Sequence, residues 1–162
     1  MSTNLSGEDL IHRIIGLAME ISGAIGSGLS EDEYKKEFES RLSRSNIEPN
    51  RQYQVTVISE GEPSLTYRMD LFPNKQVGVG VKAFEGQLTQ TDLEHFVDLL
   101  KAANAPIGLL FNFGCKNLEY IRINPKRPTK FIHRLRSDNS RKTRHLLRKS
   151  NKSIIKRNRI ES

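Results

Sequence analysis

Two side chains invite a chemical reading: Asp70 in mid-strand, and Lys82 at the end of the strand that follows. Residues 65–72 alternate, with Leu65, Tyr67, Met69 and Leu71 on one face and Arg68, Asp70 and Phe72 on the other. Residues 77–82 do the same, with Val77, Val79 and Val81 set against Gly78, Gly80 and Lys82. Successive strand residues point to opposite faces, and Pro73-Asn74-Lys75 is turn chemistry. A hairpin turning there lays the two strands side by side and places Asp70 and Lys82 close together on one face. An acid and a lysine so placed, with a helix-borne carboxylate nearby, are the parts of metal-dependent phosphodiester hydrolysis. Carboxylates hold Mg2+, the cation stabilises charge on the attacked phosphate, and the lysine positions or polarises the attacking water. Asp disfavours strands, so position 70 asks for a reason. A surface pair with Arg68 or Lys82 is the plainer one.

The elements that must position these groups are legible from periodicity. Apolar residues at 10, 11, 14, 15, 18, 21 and 25 give an amphipathic helix over 9–25, with Ser6 as its cap. After the Gly26-Ser27-Gly28 turn, Ser30 and Glu33 form a capping box that opens a second helix with Tyr34, Phe38 and Leu42 on one face. Tyr53, Val55 and Val57 mark a strand over 52–58. Thr91 and Glu94 offer another capping box for a helix over 91–103. Ile107–Phe113 is the continuous apolar run of a buried strand, and residues 118–123 form a final strand that Pro125 ends. Short hairpins join the first three strands, and the third helix crosses over to a parallel central strand. The fold class is an α/β sandwich with a mixed sheet of four or five strands flanked by helices.

Gly28-Leu29-Ser30-Glu31-Asp32-Glu33-Tyr34 fits the signature GxxExxY, and Tyr67-Arg68-Met69-Asp70-Leu71, Val81-Lys82-Ala83 and Ile107-Gly108-Leu109-Leu110-Phe111-Asn112-Phe113-Gly114 follow it in order. These four blocks resemble the GxxExxY family of the PD-(D/E)XK nuclease-like superfamily over roughly residues 8–123. The resemblance implies a restriction-endonuclease-like sandwich. It also implies roles: Glu31 as the helix carboxylate, Asp70 as the metal-bridging acid, Lys82 as the catalytic lysine, and Tyr34 as a further member of the candidate catalytic set. Asp70, Glu31 and the Val81 carbonyl would hold Mg2+. Simpler duties compete for some of these residues. Glu31 suits the positive end of a helix dipole, Glu33 completes its capping box, and Tyr34 at helical spacing with Phe38 suits a core. Two departures stand out. The superfamily expects an acid two residues before the lysine, where this chain has Gly80, and the family tends to carry glutamine where this chain has His95. His95 is either a proton-transfer group or a surface imidazole. Glu85 or Glu94 would have to supply the missing carboxylate; otherwise the nuclease fold carries a disabled site.

The chain has 162 residues and 18.5 kDa, about the size of one domain. Its net charge of +7 conceals a split: residues 1–124 hold 12 basic and 17 acidic side chains, whereas residues 125–162 hold 14 basic and 2 acidic. The division reads as a nuclease-like domain over 1–124 and a basic, nucleic-acid-binding tail over 125–162. The tail's cations are Lys126, Arg127, Lys130, Arg134, Arg136, Arg141, Lys142, Arg144, Arg148, Lys149, Lys152, Lys156, Arg157 and Arg159. Ser137-Asp138 is a candidate cap for a helix running through Leu146 and Leu147. Such a run is an electrostatic footprint for a polyanion, with DNA ahead of RNA and contacts chiefly to phosphates. A solvated tail or a nuclear localisation signal is the blander reading. A membrane-surface helix lacks Trp and a clean apolar face.

Other classes are excluded. No window approaches the roughly 20 apolar residues of a membrane span. The start, MSTNLSGEDL, lacks the pattern of a secretory signal, so the expected location is intracellular: cytoplasm or nucleoid, or the nucleus in a eukaryotic setting. The one cysteine, Cys115, excludes a disulfide framework, and His12, His95, His133 and His145 are too scattered for a zinc cage. VGVGVK at 77–82 is a strand, not a phosphate loop. Three functions follow, in this order: a DNA-binding protein with a degenerate nuclease site, an active Mg2+-dependent endonuclease using Glu31, Asp70, Lys82 and a relocated acid, and a structural subunit of a nucleoprotein assembly. Self-association stays open.

Overall fold

The computed structural model describes Leu5, residues 7–127 and Leu135–Arg136. In chain order the elements are α1 (Gly7–Ile25), α2 (Glu31–Arg44), β1 (Tyr53–Ser59), β2 (Glu62–Met69), a 3-10 turn (Pro73–Lys75), β3 (Val77–Lys82), α3 (Gln90–Ala102), β4 (Ile107–Asn112), β5 (Glu119–Ile123) and β6 (Leu135–Arg136).

Helix α1 buries the stripe that its spacing predicts, including Leu10, Ile14, Ala18 and Ile21. Helix α2 starts at the expected capping box. The Ser30 side chain accepts the Glu33 N–H at 3.2 Å, and the Glu33 carboxylate accepts the Ser30 N–H at 2.7 Å. The box of α3 lies two residues before the expected one, at Thr89 and Asp92 in place of Thr91 and Glu94. Both pairs have the right spacing. Extended backbone at Thr89 (φ −98°, ψ 167°) lets its side chain meet the Asp92 N–H, and Thr91 and Glu94 fall inside the helix.

Strands β3, β4, β5 and β6 form a mixed four-stranded sheet in that order. The β3–β4 pair is parallel, with α3 as its crossover, and the other pairs are antiparallel. Strands β1 and β2 form their own antiparallel ribbon. The expected β2–β3 hairpin shrinks to one antiparallel bridge, Leu71–Val79. The cause is visible in the backbone. Strand β2 stops at Met69, the Asp70 carbonyl accepts the Gln52 N–H, and the Phe72 N–H donates to the Pro49 carbonyl. Those groups are therefore spent on the 49–52 segment and not on β3. Strand β6 takes two residues from beyond position 124, where the sequence shows a basic segment and no strand signal.

The alternation of the sheet separates two apolar layers. Val77, Val79, Val81, Leu109, Phe111 and Tyr120 join the core beneath α1 and α2. Leu110, Ile121 and Ile123 join Leu93, Phe96, Val97 and Leu100 of α3 on the opposite face. The result is a helix–sheet–helix sandwich. Among the described residues, no helix is long and apolar enough to cross a membrane.

Candidate functional site

The turn that feeds α2 is built by Tyr34. Its hydroxyl donates to the Gly26 carbonyl and accepts the Gly28 and Leu29 N–H groups at 3.1 and 3.4 Å. Its ring is fully buried and stacks on Phe113 at 4.8 Å. Gly26 and Gly28 have positive φ (77° and 146°), the backbone conformation this turn requires. Ser30 and Glu33 then close the capping box, which leaves Glu31, the first helical residue, free for other contacts. Tyr34 thus holds the loop in front of Glu31, with its own hydroxyl already engaged.

The Lys35 ammonium lies between two candidate carboxylates. Its Nζ is 3.1 Å from Glu31 Oε1, one turn back on α2, and 3.0 Å from Asp70 Oδ1, just past β2. The second oxygen of Asp70 accepts the Val81 N–H at 2.8 Å. One aspartate therefore ties the start of α2 to β3 through both of its oxygens. Burial pulls the Lys35 ammonium down from its ordinary range, but the bonds and charges of Asp70 and Glu31 outweigh that and hold it above.

Lys82 stands at the end of β3, opposite Asn112 in the parallel register, and is half-buried. Among the described residues its ammonium makes no hydrogen bond or ion pair. Asp70 lies beside β3, bonded to the Val81 N–H next to Lys82, but the ion pair it makes is with Lys35. The reason is the early end of β2, which takes Asp70 out of the strand and lets it reach both α2 and the Val81 amide.

The position expected to hold the second acid points into apolar packing. A Cβ built on Gly80 would lie 2.7 Å from Leu110 Cδ1 and 3.0 Å from Phe96 Cε2. Of the two proposed replacements, Glu85 is exposed, and Glu94 is exposed and accepts from the Gln90 side chain at 3.3 Å. His95 is also exposed.

Two buried residues that sequence reasoning missed fix the loop after Lys82. The Asn112 side chain accepts the Phe84 and Gly114 N–H groups at 3.2 and 3.0 Å, and donates to the Phe84 and Gly86 carbonyls at 3.3 and 3.0 Å. Glu119 accepts the Leu88 N–H with both carboxylate oxygens at 3.1 Å. The Cys115 thiol adds a bond to the Gly86 carbonyl at 2.9 Å. Asn112 lies within an apolar run, and a polar residue there signals a buried hydrogen-bonding duty. Glu119 carries no such sequence signal.

A hard divalent cation needs free oxygen ligands. Here one oxygen of Glu31 and one of Asp70 already bond an ammonium, the other Asp70 oxygen bonds an amide, and Gly80 contributes nothing. No group of three or more His, Cys, Asp or Glu among the described residues is arranged to hold a metal ion. As they stand, Glu31 and Asp70 are engaged with Lys35 and Val81 and present no ready-made Mg2+ site. Of the basic segment, Lys126 and Arg127 are exposed just after β5, and Arg136 lies in β6 opposite Glu119 in the backbone register. Lys130, Arg134 and the cations from Arg141 to Arg159, with the helix expected after Ser137-Asp138, lie outside the described residues.

A mixed sheet between helices, with Glu31, Asp70 and Lys82 on neighbouring elements at one end of it, defines a nuclease-like α/β domain. A family model described as the PD-(D/E)XK nuclease superfamily matches residues 8–123, and the chain belongs to that superfamily. Its nucleases typically use Mg2+ or a similar divalent cation. No curated protein matches the chain.

Proposed function

We propose that this protein is a DNA-binding member of the superfamily, of the GxxExxY type, whose nuclease centre is degenerate and whose main work is binding. The observation that carries the reading is Gly80: its side-chain direction runs into Leu110 and Phe96, where the superfamily pattern calls for a carboxylate. Glu31 and Asp70 are the remnant of the centre, and Lys82 is its candidate lysine. Tyr34 acts as a positioning residue for Glu31 through the 26–30 turn. The Val81 carbonyl would be a further ligand, on the residue whose N–H donates to Asp70.

Attraction to the polyanion comes from the segment after residue 124, with 14 cations against 2 acids. Contacts there are chiefly to phosphates, so affinity falls steeply with salt and depends little on base sequence. Duplex DNA ranks ahead of RNA because the attached domain is nuclease-like.

Fluorescence anisotropy with a labelled duplex, repeated across a salt series, tests the binding. Replacing Arg141, Lys142, Arg144, Arg148 and Lys149 with Gln should flatten the plot of log K against log salt by about 0.9 for each phosphate that the variant no longer neutralises. An unchanged slope and affinity would exclude the segment as the binding element. RNA competing better than duplex DNA favours the nucleoprotein-subunit reading. Incubating the purified protein with plasmid and Mg2+ or Mn2+ tests the degenerate centre. Cleavage that persists through purification and disappears in Asp70→Ala identifies a working endonuclease instead.

A further inference from the structure

We propose that Lys35 is the resident cation of the Glu31–Asp70 site, standing where a divalent ion would have to bind and excluding it. The geometry is that of a bridging ion. A single ammonium lies 3.1 Å from Glu31 Oε1 and 3.0 Å from Asp70 Oδ1, joining a helix to the residue that follows β2. An ammonium is a compact point charge with three donors, and two of them are directed at the two carboxylates. The Lys35 side chain is only 19% exposed, against 63% for its neighbour Lys36, whose pair with Asp32 lies on the solvent side of the helix. Lys35 is therefore held in the site and does not sweep the surface.

The loss of an acid at Gly80 impairs the centre by removing one ligand and one charge, but it leaves two carboxylates that water could complete around Mg2+. Lys35 supplies the exclusion. A divalent ion bridging the two carboxylates would sit about 2.0–2.1 Å from their oxygens, in the space that the ammonium fills, and like charges oppose their coexistence. An ammonium also has no open coordination position for water, so it neutralises the carboxylates without activating a nucleophile. The domain thus carries a fixed internal charge where its superfamily carries an exchangeable one.

The inference rests on reading Glu31 and Asp70 as the remnant of the metal centre, and its test uses neither cleavage nor nucleic acid. The full chain and Lys35→Met are titrated with Mn2+. Loss of the free Mn2+ signal in electron paramagnetic resonance reports uptake, and thermal melting reports its effect on the fold. The wild type should take up no Mn2+ at this site and melt at the same temperature with Mn2+ or chelator. Lys35→Met should melt lower in chelator and take up Mn2+, rising by about 5–10 °C at about a hundredfold excess over Kd. That rise should vanish in Lys35→Met/Asp70→Asn. Uptake by the wild type that Asp70→Asn abolishes overturns the proposal, as does a folded Lys35→Met that takes up no Mn2+. If Lys35→Met does not fold, the comparison of wild type with Asp70→Asn still decides. Wild-type uptake without cleavage would sink the Lys35 proposal and leave the binding function standing. Failure to bind DNA would do the reverse.

Discussion

The two faces of β3 are built on opposite plans. One carries Val77, Val79 and Val81, all buried under α1 and α2. The other carries Gly78 and Gly80, and there the packing comes from elsewhere: a Cβ on Gly78 would lie 2.4 Å from Leu100 Cδ2, and one on Gly80 would crowd Leu110 and Phe96. Gly108 of β4, opposite Gly78 in register, leaves the same kind of gap, with Leu100 Cδ1 at 2.4 Å and Phe96 Cε1 at 2.9 Å from its missing Cβ. The valine face fills space with its own side chains, and the glycine face receives those of α3. The difference bears directly on the degenerate centre proposed above. An acid side chain at position 80 would compete for one volume with Leu110 of β4 and Phe96 of α3.

The comparison predicts opposite failures on the two sides of the sheet. On the α1/α2 side, truncation leaves a void. Phe111 is fully buried, with ring centroids of Phe38, Phe113 and Tyr120 at 5.5, 6.0 and 5.8 Å. Phe111→Ala should cost about 3–5 kcal/mol in denaturant unfolding. On the α3 side, enlargement does the damage: Gly108→Ala should cost about 1–3 kcal/mol by overpacking Leu100 and Phe96. If Gly108→Ala unfolds like the wild type, α3 is not closely seated and the contrast fails.

Tyr120 sharpens the same contrast by charge in place of volume. It lies in the α1/α2 layer, where burial pushes its phenol up to about 12 from 10.0, with Arg122 pulling weakly the other way. A raised value means that the folded state resists ionisation. Stability is intact below pH 10 and falls by about 1.4 kcal/mol per unit as pH rises from there toward 12. Denaturant midpoints measured across that range should fall more steeply for the wild type than for Tyr120→Phe.

Much of this architecture is readable from alternation and caps. The valine and glycine faces of β3, the Ser30–Glu33 box and the buried β4 run each follow from local pattern. What escapes reading depends on partners distant in the chain. Thr89–Asp92 and Thr91–Glu94 have identical spacing, and only the extended backbone at Thr89 chooses between them. The pair of Lys35 with Glu31 is an ordinary helical neighbour pair that sequence can suggest. The partner Asp70 is 35 positions away from Lys35, and it can reach Lys35 because β2 ends one residue before it. Glu119 looks like any acid at a strand start until the loop at Leu88 closes over it. Strand β6 is two residues long, too short to leave a period in the sequence.

The smallest expected effect lies at the margin of the α1/α2 layer. Arg122 of β5 holds Glu8 in the first turn of α1, with one of the bonds at 3.1 Å. The Arg122 hydrogen bond and charge hold the Glu8 carboxyl below its ordinary 4.5, against a partial cost of burial. A lowered value means that the stabilisation is present above pH 4.5 and is lost as pH falls through the lower folded-state value. Glu8 is 60% exposed on its side chain, so solvent and salt screen the pair, and its worth stays below about 1 kcal/mol. A double-mutant cycle of Glu8→Gln and Arg122→Gln at neutral pH should show that small coupling, shrinking with added salt and absent in acid. Because Arg122 is only 13% exposed on its side chain, Arg122→Gln should cost more than Glu8→Gln: its aliphatic stem also covers the layer, as long cationic side chains do. Equal costs would mean that the pair contributes by charge alone and that the α1/α2 layer is sealed without it.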